Sequence, residues 1–436
     1  MSFDMRNGMM IVSQSDAHQD DRVTASLPLV VGFFFAFRLL IVLLSVRLFG
    51  ADPQVGVVAS FTINIGLLLL VLLLSSDRPM VRIGELARLV SVRWALAFLL
   101  FSACSLLWTV AESKAAAIGY WTAMASDVAI VFLLLRRDRT PCVVNSLLKG
   151  FVYGACIVAV IAWLMPTQSD LRLGDEELLG PNQIGYLCAF AFFMAQYLQR
   201  RKQGSWYMAS LLLAVTLLRT FSKTTIAALL AAGVVLLLKD KAMSRRTKIW
   251  IIVITLVVIA AFSTIILSYA SVYASEGNQS ETLSGRFSIW AIIFVEAIQQ
   301  PWIGHGFHSV WQVIPPIGPD KFEARHAHNE LLQQFYAYGA AGIVLLTGVY
   351  GSFYRQVRKL PPGSMRVFFC SLLLFVIVRG LADTEAFDLS LPLWAIILFS
   401  ASIEGMIQDR AQYRIRGLIA HPRADTMGAS SIVMGS

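Results

Sequence analysis

Apolar runs of about 20 residues, the length that carries a helix across a bilayer core of roughly 30 Å, recur along almost the whole chain. Twelve such stretches lie near 27–49, 55–74, 94–110, 115–135, 144–165, 183–199, 205–219, 222–238, 248–270, 328–351, 365–382 and 389–405. This pattern leaves few folds open. Inside lipid every backbone N–H and C=O must be satisfied within the chain, so only helices or a closed barrel can span, and continuous rather than alternating hydrophobicity selects helices. The expected fold is an all-α polytopic membrane protein of about 12 transmembrane helices with one long polar loop, 271–330, containing short amphipathic helices. A composition of 57% hydrophobic and 14% charged residues excludes an ordinary soluble domain. Stretches 205–219 and 222–238 are short and separated only by Thr220-Phe221, so they read either as a tight hairpin or as one broken helix. The polar first 26 residues carry no cleavable signal pattern. The five cysteines, at no metal-ligand spacing, read as small packing residues.

Charge placement gives the orientation. Basic clusters at Arg78/Arg82/Arg88/Arg93, Arg136/Arg137/Arg139, Arg200/Arg201/Lys202, Lys239/Lys241/Arg245/Arg246/Lys248 and Arg355/Arg358/Lys359/Arg366 occupy every second connection. The positive-inside rule puts these connections, and both termini, in the cytoplasm. Loop 271–330, with six acids to three bases, then faces outward, to the periplasm where the host has two membranes. The chain divides accordingly into a cytoplasmic tail (1–26), helices one to nine (27–270), a periplasmic loop domain (271–327), helices ten to twelve (328–405) and a second cytoplasmic tail (406–436). Arg219, Lys223, Arg286, Arg325 and Arg379 fall on the outer side, where the rule disfavours them, and cations at the rim of a membrane pocket suggest an anionic ligand. Arg38, inside the first stretch, is a functional buried cation or is paired to Asn64 or to an acid elsewhere.

The long loop holds four of the six histidines, His305, His308, His326 and His328. Ile289, Trp290, Ile293, Phe294 and Ala297 recur at helical spacing after Gly285-Arg286 and stop at Gln299-Gln300-Pro301, which predicts an interfacial amphipathic helix. Arg286 falls in its first turn, where backbone N–H groups also favour an anion; the plainer alternatives are a snorkelling Arg or a pair with Glu281. His305 and His308 lie among Gly and Pro and read first as loop hydrogen-bonders. His326 and His328 precede an apolar run. His328 or Asn329 could merely cap a helix, and a His-x-His metal site with Glu323 or Glu330 lacks a second ligand pair at standard spacing. A neutral imidazole at the mouth of a cation-lined cavity suits a general base. Arg219-Thr220-Phe221-Ser222-Lys223-Thr224-Thr225 sets two cations beside hydroxyls; it lacks the glycines of a nucleotide loop but would serve as a diphosphate clamp.

Together these pieces resemble the O-antigen ligase and Wzy-type O-antigen and exopolysaccharide polymerase family. Its loop signature is a His, then Asn, Ser or Gln, nine residues, and Gly-x-x followed by Gly, Thr or Tyr, matched here by His328-Asn329, Gly339 and Gly342. The family's Gly-Arg followed by Trp is similar to Gly285-Arg286 with Trp290. Its Pro-x-x-Gly-x-Gly is similar to Pro301 through Gly306, and its Pro-Asn before a span to Pro181-Asn182. One departure is Ser222-Lys223 where the family commonly has Ser-Arg; Lys is a point charge, not a bidentate fork, so Lys223 or Arg219 could hold a phosphate. The resemblance implies an inner-membrane, metal-independent, inverting glycosyltransferase acting on undecaprenyl-diphosphate-linked glycan at the periplasmic face. His328 would be its base, with Arg286 and Lys223 or Arg219 on the diphosphate, and Arg325, His326, Asn329 and Arg379 as further substrate contacts. It implies no cofactor and no nucleic acid. The implied partners are a lipid-linked oligosaccharide donor, a saccharide acceptor, membrane lipid and, as a candidate, a chain-length regulator protein.

Polymerisation of exopolysaccharide or O-antigen repeat units is the favoured reaction, because nothing marks recognition of a lipid A core; ligation of the glycan to that core is the alternative. A polysaccharide or lipid-linked sugar transporter would also have about twelve spans, yet would predict paired halves, whereas the long loop occurs once and late. A scaffold without chemistry leaves the outward-facing cations unexplained.

Overall fold

The computed structural model describes residues 14–75, 81–166, 171–175, 178–241, 243–261, 283–310, 326–384 and 390–420. Fourteen helices lie among these residues: α1 (Gln14–Phe49), α2 (Pro53–Ser75), α3 (Val81–Arg88), α4 (Val90–Ser105), α5 (Lys114–Arg137), α6 (Thr140–Leu164), α7 (Pro181–Arg200), α8 (Tyr207–Arg219), α9 (Lys223–Lys239), α10 (Arg245–Ala261), α11 (Leu283–Ala297), α12 (Glu330–Lys359), α13 (Ser364–Ala382) and α14 (Ser390–Ala420). Every one of the twelve apolar stretches holds a helix, and no strand occurs among the described residues. Among the described residues seven helices are long and apolar enough to cross a bilayer alone: Ser26–Phe49, Pro53–Ser75, Lys114–Arg137, Thr140–Leu164, Glu330–Lys359, Ser364–Ala382 and Ser390–Gln412. The protein is an all-α, multi-span membrane protein. Helical structure outruns the expected tails, beginning at Gln14 and ending at Ala420.

Small residues set the tightest packing. In lipid, helices gain little from burying apolar surface against one another and associate where backbones approach closely. The most extensive interface is α1 on α6, where a Cβ on Gly32 would fall 1.9 Å from the Leu147 carbonyl oxygen and one on Gly150 1.9 Å from that of Leu29. Polar pairs add registry. Arg38 Nη1 lies 2.6 Å from Asp127 Oδ2, and the same carboxylate accepts from Ser390 Oγ at 2.6 Å and Asn64 Nδ2 at 3.1 Å. The partner left open for Arg38 is therefore Asp127 on α5.

The uncertain pair of short stretches forms two helices with different neighbours, α8 against α7 and α6, and α9 against α13 and α7. The 13 residues of α8 rise about 20 Å, short of the roughly 30 Å of a bilayer core, and the tip that follows it carries buried polar residues. Its polar groups are met internally: Arg172 Nε donates to the Thr220 carbonyl at 3.1 Å, and Arg172 Nη2 to Asn182 Oδ1 at 2.8 Å. At the other ends of the same helices, Asp240 accepts from Arg200 on α7 and from Ser364 on α13. The basic clusters around Arg200, Lys239 and Arg366 thus lie at the opposite end of these helices from the hairpin tip.

Candidate functional site

The site is built on a break. Helix α12 is interrupted at Gly339, which has φ 61° and ψ −155°, backbone open essentially to glycine alone. The break leaves a short N-terminal half, Glu330 to Tyr338, tilted away from the rest. Exposed peptide groups at such a break must find partners, and the segment Pro301–Gly306 supplies them. His305 N–H donates to the Tyr336 carbonyl at 3.0 Å and Gly306 N–H to that of Ala337 at 2.8 Å, while Ala340 and Ala341 N–H donate back to Pro301 and Trp302 at 2.7 and 3.1 Å. Contact is so close that a Cβ on Gly304 would lie 2.4 Å from Tyr338 N, and one on Gly339 2.4 Å from the Trp302 carbonyl carbon. The two glycine-bearing motifs of the sequence are the two sides of this one joint.

Helix α11 forms where the periodicity predicts a helix and packs on the half-helix, although Phe294 of the expected apolar face is 53% exposed. Ile289, Ile293 and Ala297 are fully buried and pack with Val310, Ala327 and Tyr336. Trp290 Nε1 donates to the Ala327 carbonyl at 2.9 Å, and Arg286 Nη1 to the Ala382 carbonyl at 2.6 Å. Asn329 caps the half-helix, accepting from Leu332 N at 3.0 Å, and its Nδ2 reaches the Leu381 carbonyl at 2.8 Å. The capping alternative is therefore correct for Asn329. His328, just before the cap, has φ 49°, a strained value for a residue with a side chain.

That strained backbone turns the imidazole toward the end of α13. His328 Nδ1 is 3.1 Å from Asp383 Oδ1; Asp383 Oδ2 accepts from Thr224 Oγ1 at 3.3 Å and lies 3.9 Å from Arg379 Nη2. His326 packs edge-on against His328 with ring centroids 4.2 Å apart. Residues from α9, α11, α13 and the loop before α12 thus meet at one point.

The candidate residues fare differently. Arg286, His326, His328, Asn329 and Arg379 come together. Lys223 is exposed in the first turn of α9, next to Thr224, which carries the hydroxyl on Asp383. Arg219 is buried, gives Nη1 to the Leu171 carbonyl and lies 5.6 Å from the Phe221 ring centroid, so it braces the hairpin. Arg325 lies outside the described residues. His305 stacks on Tyr336 at 4.3 Å and is a loop hydrogen-bonder, as its glycine-rich surroundings suggest. Sequence reasoning missed Asp383, and it read the Thr224 hydroxyl as part of a diphosphate clamp where the structure sets it on Asp383. Asp383 reads in the sequence only as an outer-side acid; its spacing four residues after Arg379 is the available signal.

The charges are interdependent. Burial by itself would raise the Asp383 carboxyl, but the His328 hydrogen bond and the Arg379 and Arg286 guanidiniums outweigh it and hold the group well below the ordinary carboxylate range. His326 is pushed down to about 3, first by burial and then by its cationic neighbours, and stays neutral near pH 7. Ligand atoms of His326, His328 and Asp383 lie within 4.8 Å of one another and could form one face of a metal site. The donor set fits a divalent cation poorly, because Arg286 and Arg379 already place two positive charges around it and Asp383 is engaged by His328, Thr224 and Arg379. Glu330, the sequence's candidate third ligand, accepts instead from Tyr350 OH at 3.0 Å.

Comparison with known proteins bears on this geometry. Residues 208–347, which take in the hairpin from Met208 onward, α11 and the break in α12, match the family model described as O-Antigen ligase. The chain is 25% identical over 316 residues to "Exopolysaccharide production protein ExoQ" of Rhizobium meliloti (strain 1021), covering 66% of this chain and 71% of that protein.

Proposed function

We propose that this chain, a member of the O-antigen ligase and polysaccharide polymerase family, is a glycosyltransferase that moves glycan from a lipid diphosphate onto an acceptor sugar hydroxyl, most simply to polymerise exopolysaccharide or O-antigen repeat units at the periplasmic face of the inner membrane. The observation that carries the proposal is the pairing of His328 with buried Asp383 among Arg286, Arg379 and the Lys223–Thr224 turn, contributions from four distant parts of the sequence.

Asp383 accepts the Nδ1 proton of His328, the tautomer its negative charge selects. Nε2 is then left with its lone pair to take the proton of the acceptor hydroxyl. The hydroxyl oxygen attacks the anomeric carbon, the bond from that carbon to the diphosphate oxygen breaks, and the leaving group departs from the opposite face, inverting the centre. Arg286 and Lys223 stabilise the charge gathering on the diphosphate, work strengthened in a water-poor site; Arg219 supports Lys223 by fixing the hairpin. No step draws on a metal or cofactor. Polymerisation is favoured over ligation because the relative's printed name concerns exopolysaccharide production.

His328→Ala is expected to abolish product from undecaprenyl-diphosphate-linked oligosaccharide, by about 100-fold or more, while the protein remains folded and in the membrane. Purified variant that polymerises at the wild-type rate removes the assignment. Products carried on lipid A core would replace polymerase by ligase, and movement of intact donor across a vesicle without new glycosidic bonds would replace both by a transporter.

A further inference from the structure

An arginine on the outer side suggests a substrate contact, but the surroundings of Arg379 argue otherwise. Only 2% of its side chain is exposed. The guanidinium carbon lies 3.8 Å from the centroid of the Tyr186 ring, on the neighbouring helix α7, so one face of the cation is covered by an aromatic ring. Its Nη2 points along its own helix to Asp383 Oδ2 at 3.9 Å, one turn further on. A cation enclosed in this way is shielded from solvent.

We propose that Arg379 is a positioning residue that acts through Asp383 and does not touch the donor; this rests on the assignment of His328 as base. A buried carboxylate is costly unless paired, and the Asp383 side chain is only 1% exposed. One of its oxygens faces His328 and the other faces Thr224 and Arg379. Arg379 supplies the fixed positive charge behind the second oxygen. With that charge in place the carboxylate stays ionised and aimed, and the imidazole keeps the orientation in which Nε2 faces the acceptor. Tyr186, held edge-on by Phe190 at 5.0 Å, covers one face of the guanidinium.

The test is a double-mutant cycle of Arg379→Gln and Asp383→Asn, in full-length purified protein, with undecaprenyl-diphosphate-linked repeat units extracted from the source membranes as substrate. A residue acting only through another loses its effect once that other is gone. Arg379→Gln should lower kcat about 10-fold or more with KM within about twofold, and the double variant should be no slower than Asp383→Asn alone. Arg379→Lys, which retains a cation, should recover part of kcat and serves in the same cycle if Arg379→Gln does not fold. Additive losses, or a KM raised about 10-fold by Arg379→Gln with kcat unchanged, would place the guanidinium on the substrate and overturn the proposal. Full activity of His328→Ala would instead remove the base assignment on which it stands, so the two failures are distinguishable.

Discussion

His326 and Asp383 lie beside the same imidazole yet respond to acid in different windows. The folded-state value of His326 is lowered from an ordinary 6.5 to about 3, so between those values the unfolded chain binds the proton and the folded chain does not. Stability contributed in this way is complete above about pH 6.5 and is lost as pH falls below it. Asp383, whose folded value is also lowered, begins to cost stability only below the ordinary carboxylate range, near pH 4. Melting of the purified protein at pH 7.5 and pH 5 therefore separates the imidazoles from the carboxylate, and because burial also lowers His308 the His326 share is read from its substitution. The wild type should melt lower at pH 5, and His326→Gln should show a smaller difference between the two; an equal difference would mean that the imidazole is not kept neutral by its enclosure. The sequence made His326, His328 and Arg286 legible through residue type and position in a polar loop. Asp383 escaped because it lies 55 positions from His328, and no local pattern encodes a contact across that distance.

At the scale of elements, the apolar runs located the long helices of the bundle, since continuous hydrophobicity over a helical length has one solution in lipid. They did not reveal the break at Gly339, because the glycine sits inside an apolar run and a composition-based reading carries the helix straight through it. The joint with Pro301–Gly306 turns this into a prediction. Gly339→Ala must place a Cβ at φ 61° and within 2.4 Å of the Trp302 carbonyl carbon, at a cost of about 3 kcal/mol or more. A Cβ added at Gly351, in the same helix, meets nothing within 4 Å, so Gly351→Ala should be neutral or stabilising by about 0.5–1 kcal/mol. Thermal unfolding in detergent compares the two directly, and equal stability of both variants would show that the joint is not closed as described. The half-helix explains why the spacing between His328-Asn329 and Gly339 matters: it is the lever that sets the imidazole, and one residue more or less would rotate the histidine by about 100°.

For the whole molecule, the Arg38–Asp127 pair is the cross-link that sequence could pose but not solve, since the partner lies on the fifth helix and the candidates within reach of a pattern were closer. Asp127 gathers α1, α2, α5 and the start of α14, and Ser390, which donates to it, stands seven positions after Asp383. Removing one member of a buried pair leaves the other uncompensated, which is more damaging than replacing both. Asp127→Ala should therefore lower stability by about 3 kcal/mol, the low end of the range for such pairs because the Arg38 side chain is 24% exposed. The double variant Arg38→Met with Asp127→Leu, which removes both charges and fills the space, should recover part of that loss. Unfolding midpoints of the wild type and the two variants in the same detergent measure it. If the double variant is as unstable as the single one, the four helices depend on the hydrogen bonds from Ser390 and Asn64 more than on compensation of charge, and the ion pair is incidental to holding the bundle that presents the site.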